Sequence, residues 1–321
     1  MTKVLIITGA TATGKTKLAT AVAKELGGEL VSADSRQIYK RLDIISGKDI
    51  HPGDTSRHQK TVLFRGEKYP LVTYQIDGIP VWLYDAVSPD QPCSIALYRS
   101  LARAAIADIV SRGKLPIIVG GAGLYIQAVT DTPETIDVPM DNLARRRWDL
   151  LTVEALQKEL IGIDQARLSR MNNSDRNNPR RLIRALEVAR WLAQHKELGK
   201  KMKEFHALWI GLRNTVSDME HGIRERVRSR WKSGAVDEVK KLGDMAPHLP
   251  AVSTLGIAAI TDYIRNIKTE EEAMEAWAKE EIAYAKRQAV WFKKNKHIHW
   301  FDSGQDGLAT LVVKVVREWY T

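Results

Sequence analysis

The sequence predicts an α/β protein: a doubly wound parallel sheet that carries a phosphate-binding loop and is interrupted by a helical insertion. Three observations predict it. An apolar, β-branched run, "KVLIIT" (Lys3 to Thr8), leads into "GATATGKT" (Gly9 to Thr16) and then into an amphipathic helical pattern. A second apolar run, "KLPIIVGGAGLYIQAV", again passes through glycines into a helical pattern. Strand-like and helix-like stretches alternate around these two units, as the crossovers of a parallel sheet require.

The first unit has the spacing G-x-x-x-x-G-K-[ST]. Its glycines let backbone N–H groups curl around a phosphate chain, while Lys15 supplies a cation and Thr16 a metal-ligating hydroxyl. After it, Leu18, Val22 and Leu26 recur four apart until Gly27 and Gly28 end the pattern, which makes a helix. Loop amides and helix N-terminus then favour negative charge at one spot. A tight strand-to-helix turn is the plainer alternative.

In "GGELVSADSRQIYKRLDI", Leu30 and Val31 enter a short strand that gives way to a polar loop, Ser32 to Gln37. Strand ends of this kind face the ligand crevice of a parallel sheet. Residues 47 to 80 are rich in Gly, Pro, His and Lys, and "VLFRGEKYPLVTYQIDGIPVWLYD" reads as a small β excursion with "RGEKYP" and "DGIP" turns. "SIALYRSLARAAIADIVSRG" spaces Ile95, Tyr98, Leu101, Ile106 and Ile109 for a helix. Past Thr130 the composition shifts: "TDTPETIDVPMDN" is linker-like, and about 141 to 200 is helical and strongly charged. The expected organisation is a core of residues 1–130 and 201–321 with a helical insertion at 131–200. "HALWIGLR" (His206 to Arg213) returns to a strand pattern, and the remainder reads mostly as helix.

A chain of 321 residues with 44% hydrophobic content is a folded protein larger than one typical domain. No apolar run approaches membrane-spanning length, and Val4 to Ile7 belongs to the phosphate strand, so a cytoplasmic protein without signal peptide or anchor is expected. The single cysteine, Cys93, excludes an internal disulfide and a multi-cysteine zinc site. The formal charge of +10 suits an anionic partner such as a nucleic acid, although charge alone does not specify one.

Phosphate-loop enzymes generally hold Mg²⁺ with an acidic residue from a second strand as well as the loop hydroxyl. Asp34 after "ELVSA" and Asp85 after "VWLY" are the candidates, each as metal partner or as base; "LPIIV" ends instead in Gly120 and Gly121. Asp34, with Ser35, falls on the second βα loop beside the phosphate loop, where a carboxylate can take a proton from an acceptor. An N-cap for a helix starting near Arg36 would explain its type equally well.

Two basic segments follow. "NNPRRLIRALEVARW" puts Arg180 and Arg184 one helical turn apart beside Arg181, with Leu182, Ile183, Leu186 and Ala189 as the packing side. Further on, Lys279, Lys286 and Lys293 recur seven apart, with Arg287 and Lys294 alongside and Tyr284, Trp291 and Phe292 interleaved. Basic helical stripes bind phosphodiesters and aromatics stack on unpaired bases, while solvated faces and core packing are the plainer readings.

"GATATGKT", "SADSRQIYKRLDI", "LPIIVGGAGLYI", "NPRRLIRALEV", "GAVDEV" and "YAKRQAVWF" occur in the order found in the tRNA dimethylallyltransferases, and from Gly9 to about Phe292 the chain resembles bacterial members of that family. The resemblance implies transfer of a five-carbon group from dimethylallyl diphosphate to N6 of the adenosine 3′-adjacent to the anticodon, by a monomer that binds the anticodon stem-loop. It implies that Gly9, Ala10, Thr11, Ala12, Thr13, Gly14, Lys15 and Thr16 hold the donor diphosphate, that Thr16 helps place Mg²⁺, and that Arg226 contacts the diphosphate. It further makes Asp34 the general base and Ser35, Arg36 and Gln37 the lining of the acceptor base. Arg180, Arg181, Leu182, Ile183 and Arg184, with Lys286, Arg287, Gln288 and Lys293, match tRNA-contact segments. The family's usual "HHLID" is here "VWLYD", leaving Asp85 without the histidines, and the usual "IGYKE" is Leu255 to Ala259. The rival readings are a phosphate-loop kinase of a nucleoside or other small molecule, an adenylate prenyltransferase, and a nucleotide-switched RNA-binding protein.

Overall fold

A computed structural model describes residues 1–48, 50, 57–131, 135, 136, 138–195, 205–243 and 251–320. The start of the β excursion, part of the linker after Thr130 and the segment closing the insertion lie outside the described residues. The chain forms two compact units, Met1–Thr130 with Lys203–Thr321, and Asp131–Met202.

The first unit holds β1 (Thr2–Gly9), α1 (Lys15–Leu26), β2 (Gly28–Ser32), β3 (Arg57–Phe64), β4 (Glu67–Ile76), β5 (Ile79–Trp82), α2 (Ile95–Ser111), β6 (Leu115–Gly120) and α3 (Gly123–Thr130). The second holds α4 (Asn142–Trp148), α5 (Val153–Arg170), α6 (Asn173–Arg176) and α7 (Pro179–Gln194). The first unit resumes with β7 (Phe205–Arg213), α8 (Val216–Lys232), α9 (Ala235–Leu242), α10 (Ile257–Ile264), α11 (Glu270–Lys293), β8 (Ile298–Asp302) and α12 (Leu308–Tyr320).

The strands form one sheet in the order β3-β4-β5-β2-β6-β1-β7-β8. From β5 to β8 every neighbouring pair is parallel; β3 and β4 add an antiparallel edge. The alternation in β1 shows why both faces are covered. Val4 and Ile6 join a core with α2, α3, α8 and α11, whereas Leu5 and Ile7 join another with α1 and α12. Strands buried on both faces read as continuous apolar runs, which is how "KVLIIT" and "LPIIV" looked.

Three details differ from the sequence reading or add to it. The β excursion is the edge of the main sheet, and its turns are short: Arg65–Gly66 and Asp77–Gly78, each with two positive φ angles, 51° and 87°, then 50° and 76°. Mirror-image turns of this kind match the twist of a hairpin, so "EKYP" belongs to strand β4. No helix starts near Arg36; residues 35–38 are turns. The C-terminal region is not all helical, because β8 adds a parallel edge strand in which only Ile298 is buried. So few apolar positions gave it no alternating signal.

In the second unit, Trp148, Leu156, Leu160, Leu182, Ile183 and Leu186 form a separate core. Asp164 breaks α5 with a non-helical backbone.

Glu29 of β2 is 1% exposed and accepts from Lys114 Nζ at 2.8 Å, Arg112 Nη2 at 2.8 Å and Trp82 Nε1 at 2.8 Å. Burial alone would raise its carboxyl, but Arg112, Lys114 and Trp82 draw it down to about 2. A depressed folded-state value stabilises above the unfolded value and is lost as pH falls, here from about 4.5 to about 2. Urea unfolding across pH 7 to 2 should show this loss of roughly 3 kcal/mol; Glu29→Gln should be destabilised at pH 7 and lack that limb.

Candidate active site

The Gly9–Thr16 loop is built by backbone constraint. Gly9 ends β1 at φ 146°, where a Cβ would strike the Leu212 carbonyl oxygen of β7, so no other residue fits this approach. Ala12 (φ 64°) and Gly14 (φ 76°) are both left-handed, which folds the loop back on itself. Thr13 Oγ1 donates to Ala10 O at 2.8 Å and Leu18 N to Gly14 O at 3.0 Å, so α1 begins at once. Gly14 caps α1 without a side chain, leaving the first-turn N–H groups to an anion. Lys15 Nζ folds over the loop to donate to Ala10 O at 2.6 Å. Crowding by protein atoms, then the Arg226 charge, push its ammonium down to about 7, with Asp34 opposing.

The second loop is clipped to the same strand ends. Ala33 N donates to Val119 O at 2.8 Å and Ala122 N to Ala33 O at 3.0 Å, and Gly120 is needed because a Cβ there would enter the Ala33 backbone. Arg36 N then donates to Asp34 Oδ1 at 2.8 Å, which fixes the carboxylate in a turn. A cavity of about 260 Å³ is lined by Thr11, Asp34, Ser35, Arg36, Arg226 and Tyr284, with Arg230, Glu281 and Arg287 also in its wall.

Helices α8 and α11 close the cavity. Gln288 of α11 accepts from Thr11 N at 2.9 Å and Thr11 Oγ1 at 3.2 Å, and donates through Nε2 to Gly121 O at 3.0 Å. One buried amide thus joins the anion loop to the β6–α3 turn. Glu281 accepts from Arg226 Nη2 at 2.6 Å, Arg230 Nη1 at 2.9 Å and Trp277 Nε1 at 3.1 Å. Opposite, Glu238 accepts from the backbone N–H groups of Asp43, Ile44 and Ile45 at 2.6 to 2.9 Å, holding the loop that supplies Ile45 and Ser46 to the cavity.

Asp34, Ser35, Arg36 and Arg226 therefore meet around one cavity with the loop residue Thr11, and Lys15 carries the charge of both Arg226 and Asp34. Others lie elsewhere. Asp85, expected as a possible metal ligand, pairs with the fully buried Lys48 and takes the Tyr74 hydroxyl, so its carboxylate is a structural counter-charge. Gln37, expected to line the acceptor base, accepts from Ser32 Oγ at 2.8 Å and donates to Gly47 O at 2.7 Å. Gln288, expected at tRNA, is 6% exposed and braces the loop instead. Leu182 and Ile183 are core residues of the second unit rather than contacts. Arg184 is tied to Glu187 at 2.8 Å and to the carbonyls of Thr135 and Val138 at 2.7 and 2.9 Å. Arg287 is exposed but reaches the cavity wall, whereas Arg180, Arg181, Lys286 and Lys293 are exposed and do not line it. The altered segment Leu255 to Ala259 begins α10, with Leu255 in the cavity wall and Ile257 and Ala259 buried.

Sequence reasoning missed Arg230, Glu281 and Lys48. "RERVRSR" does place Arg226 and Arg230 four apart on one helix face, a signal that was legible. Glu281 sits in a run of acids and alanines with nothing to mark it as buried.

Comparison with known proteins follows the same pieces. The family model described as IPP transferase matches residues 70–295, and one described as isopentenyl transferase matches residues 2–57. The tRNA dimethylallyltransferase of Carboxydothermus hydrogenoformans is 33% identical over 98% of this chain and 97% of its own. The crystal structure of the full-length tRNA isopentenylpyrophosphate transferase of Bacillus halodurans, 30% identical, matches 99% of this chain and 96% of its own with a TM-score of 0.68. A eukaryotic dimethylallyltransferase described as acting on tRNA shares the fold at 21% identity, covering 100% of this chain and 80% of its own with a TM-score of 0.78.

Lys15 makes anion binding pH-dependent. A bound polyphosphate favours the ammonium form, so above about pH 7 binding must take up a proton. Calorimetric titration with inorganic pyrophosphate should show affinity falling from pH 6.5 to 8.5, and Lys15→Met should bind more weakly without that slope.

Proposed function

The chain belongs to the IPP transferase family, and from that premise we propose that Asp34 and the Gly9–Thr16 loop act on the two substrates of one prenyl transfer. The reaction is that of the tRNA dimethylallyltransferases, from dimethylallyl diphosphate to tRNA. Among the described residues no helix is long and apolar enough to cross a membrane. In our reading the acceptor is N6 of the adenosine 3′-adjacent to the anticodon, and one monomer serves one anticodon stem-loop in the cytoplasm.

The observation that carries this reading is one neighbourhood: Asp34, Arg226 and the loop residue Thr11 line a single cavity, and the charges of Arg226 and Asp34 both act on Lys15 of the same loop. The amine nitrogen attacks the allylic carbon, the carbon–oxygen bond to diphosphate breaks, and the electron pair leaves with the diphosphate. Asp34 takes the proton released from nitrogen. Loop amides, Lys15 and Arg226 meet the charge growing on the leaving group. An exocyclic amine is reachable only when its base is out of the stack, which suits an unpaired loop adenosine.

For Mg²⁺, the described residues contain no group of three or more His, Cys, Asp or Glu side chains able to hold a metal ion. That donor set fits an ion carried chiefly by substrate phosphates, with the Thr16 hydroxyl as its protein ligand, since Mg²⁺ commonly keeps waters and takes few side chains. When bound it would screen the diphosphate charge. Arg180, Arg181, Lys286, Arg287 and Lys293 are the exposed cations we assign to the tRNA backbone.

Purified protein mixed with unmodified tRNA and dimethylallyl diphosphate should yield prenylated adenosine by nucleoside mass spectrometry, whereas ATP as donor or AMP as acceptor should yield no product. Asp34→Asn should lower kcat at least about 100-fold with the donor KM little changed; parental turnover by that variant would remove Asp34 from the chemistry.

A further inference from the structure

Glu281 of α11 is 4% exposed, yet it belongs to none of the parts assigned above to donor, acceptor or metal. Its carboxylate stands between two guanidinium groups on successive turns of α8. One oxygen accepts from Arg230 Nη1 at 2.9 Å and Trp277 Nε1 at 3.1 Å, and the other accepts from Arg226 Nη2 at 2.6 Å. Burial works to raise Glu281, but the charges of Arg226 and Arg230 outweigh it and hold it below the ordinary carboxylate range. It is an anion kept ionised inside the protein.

The two arginines differ in what else they touch. Arg230 donates to Ile45 O at 3.2 Å and packs on Gly47, so closely that a Cβ there would enter its guanidinium. It is part of the cavity wall. Arg226 is about a third exposed, and its buried Nε–H has no hydrogen-bond partner. Its charge also bears on Lys15, so two cations are crowded at the mouth of the anion loop. Left to itself, a flexible arginine would swing into water to escape that repulsion; a single 2.6 Å bond to a buried carboxylate prevents it.

We propose that Glu281 is a positioning residue: it holds Arg226 beside the phosphate loop before the donor arrives. The donor then meets a preorganised cation rather than one that must be recruited, which lowers the cost of binding. Glu281 touches no reacting atom. The inference rests on the reading that Arg226 contacts the donor diphosphate.

The test is a double-mutant cycle on the full chain, with inorganic pyrophosphate titrated calorimetrically into the parent, Glu281→Gln, Arg226→Met and the double variant. Each single change should weaken binding about tenfold, and the double variant should be no weaker than Arg226→Met alone. In steady state, Glu281→Gln should raise the KM for dimethylallyl diphosphate by a similar factor, with kcat and the KM for tRNA within about threefold of the parent. Glu281→Asp, which keeps the charge on a shorter arm, should recover part of the loss. Parental pyrophosphate affinity in Glu281→Gln overturns the proposal, as does a full further loss on top of Arg226→Met, the signature of damage transmitted through Arg230. Should Arg226→Met by itself bind pyrophosphate like the parent, the reading of Arg226 falls and takes the proposal with it, which is a distinguishable result. If Glu281→Gln does not fold, the Glu281→Asp variant carries the same cycle.

Discussion

Like charges crowded at the Gly9–Thr16 loop are the constraint on which the rest of this site depends. Lys15 and Arg226 repel each other, and the protein tolerates the cost by three means visible in the fold. The ammonium is bonded to the carbonyl of Ala10, the guanidinium is bonded to Glu281, and Asp34, past the end of β2, acts on Lys15 with its opposite charge and lines the cavity with Arg226. Each means needs a rigid mount. The mounts are backbone contacts at the ends of β1, β2 and β6, where Gly9 and Gly120 allow chain segments to approach more closely than a side chain permits.

The Gln288 amide shows how such mounting reaches across the sequence. It links a residue near the amino terminus with one in the β6–α3 turn from a helix near the carboxyl terminus. A hydrogen bond of this sort contributes only about 1 kcal/mol net, but leaving its buried partners unmatched costs more. Its effect is geometric: Thr11 cannot move without α11.

Much of the fold could be read in advance because parallel strands buried on both faces leave unbroken apolar runs, and because glycines punctuate the loops that follow them. The strand–loop–helix turn at Gly9 to Thr16 was legible for the same reason, as was the place of Asp34 in the turn after the second strand. What escaped was information held only in three dimensions. Strand β8 has a single buried residue, so its pattern was too sparse to see. Asp85 looked like a crevice acid because nothing local shows that Lys48, 37 positions earlier, is buried against it. Gln288 looked like a contact because its neighbours Lys286 and Arg287 are exposed cations, while the helix turns the amide inward. In the second unit, Arg145 and Arg184 converge on the buried Glu187, so two cations of a basic segment are internal braces.

The buried Lys48 links two features that the sequence keeps apart. Its ammonium bonds Tyr39 O and Asp43 beside the cavity loop and Asp85 at the end of β5, while Asp85 in turn takes the hydroxyl of Tyr74 from the antiparallel hairpin. Asp43 is largely exposed, so Asp85 is the inner counter-charge, and removing it leaves the buried ammonium poorly compensated, at a cost of roughly 3 to 5 kcal/mol. The hairpin is fastened to this pair through the Tyr74 hydroxyl. Descendants of this chain could lose Asp85 only by neutralising the lysine in the same stroke, so the end of β5 and the loop at Tyr39 to Asp43 are bound to a common inheritance.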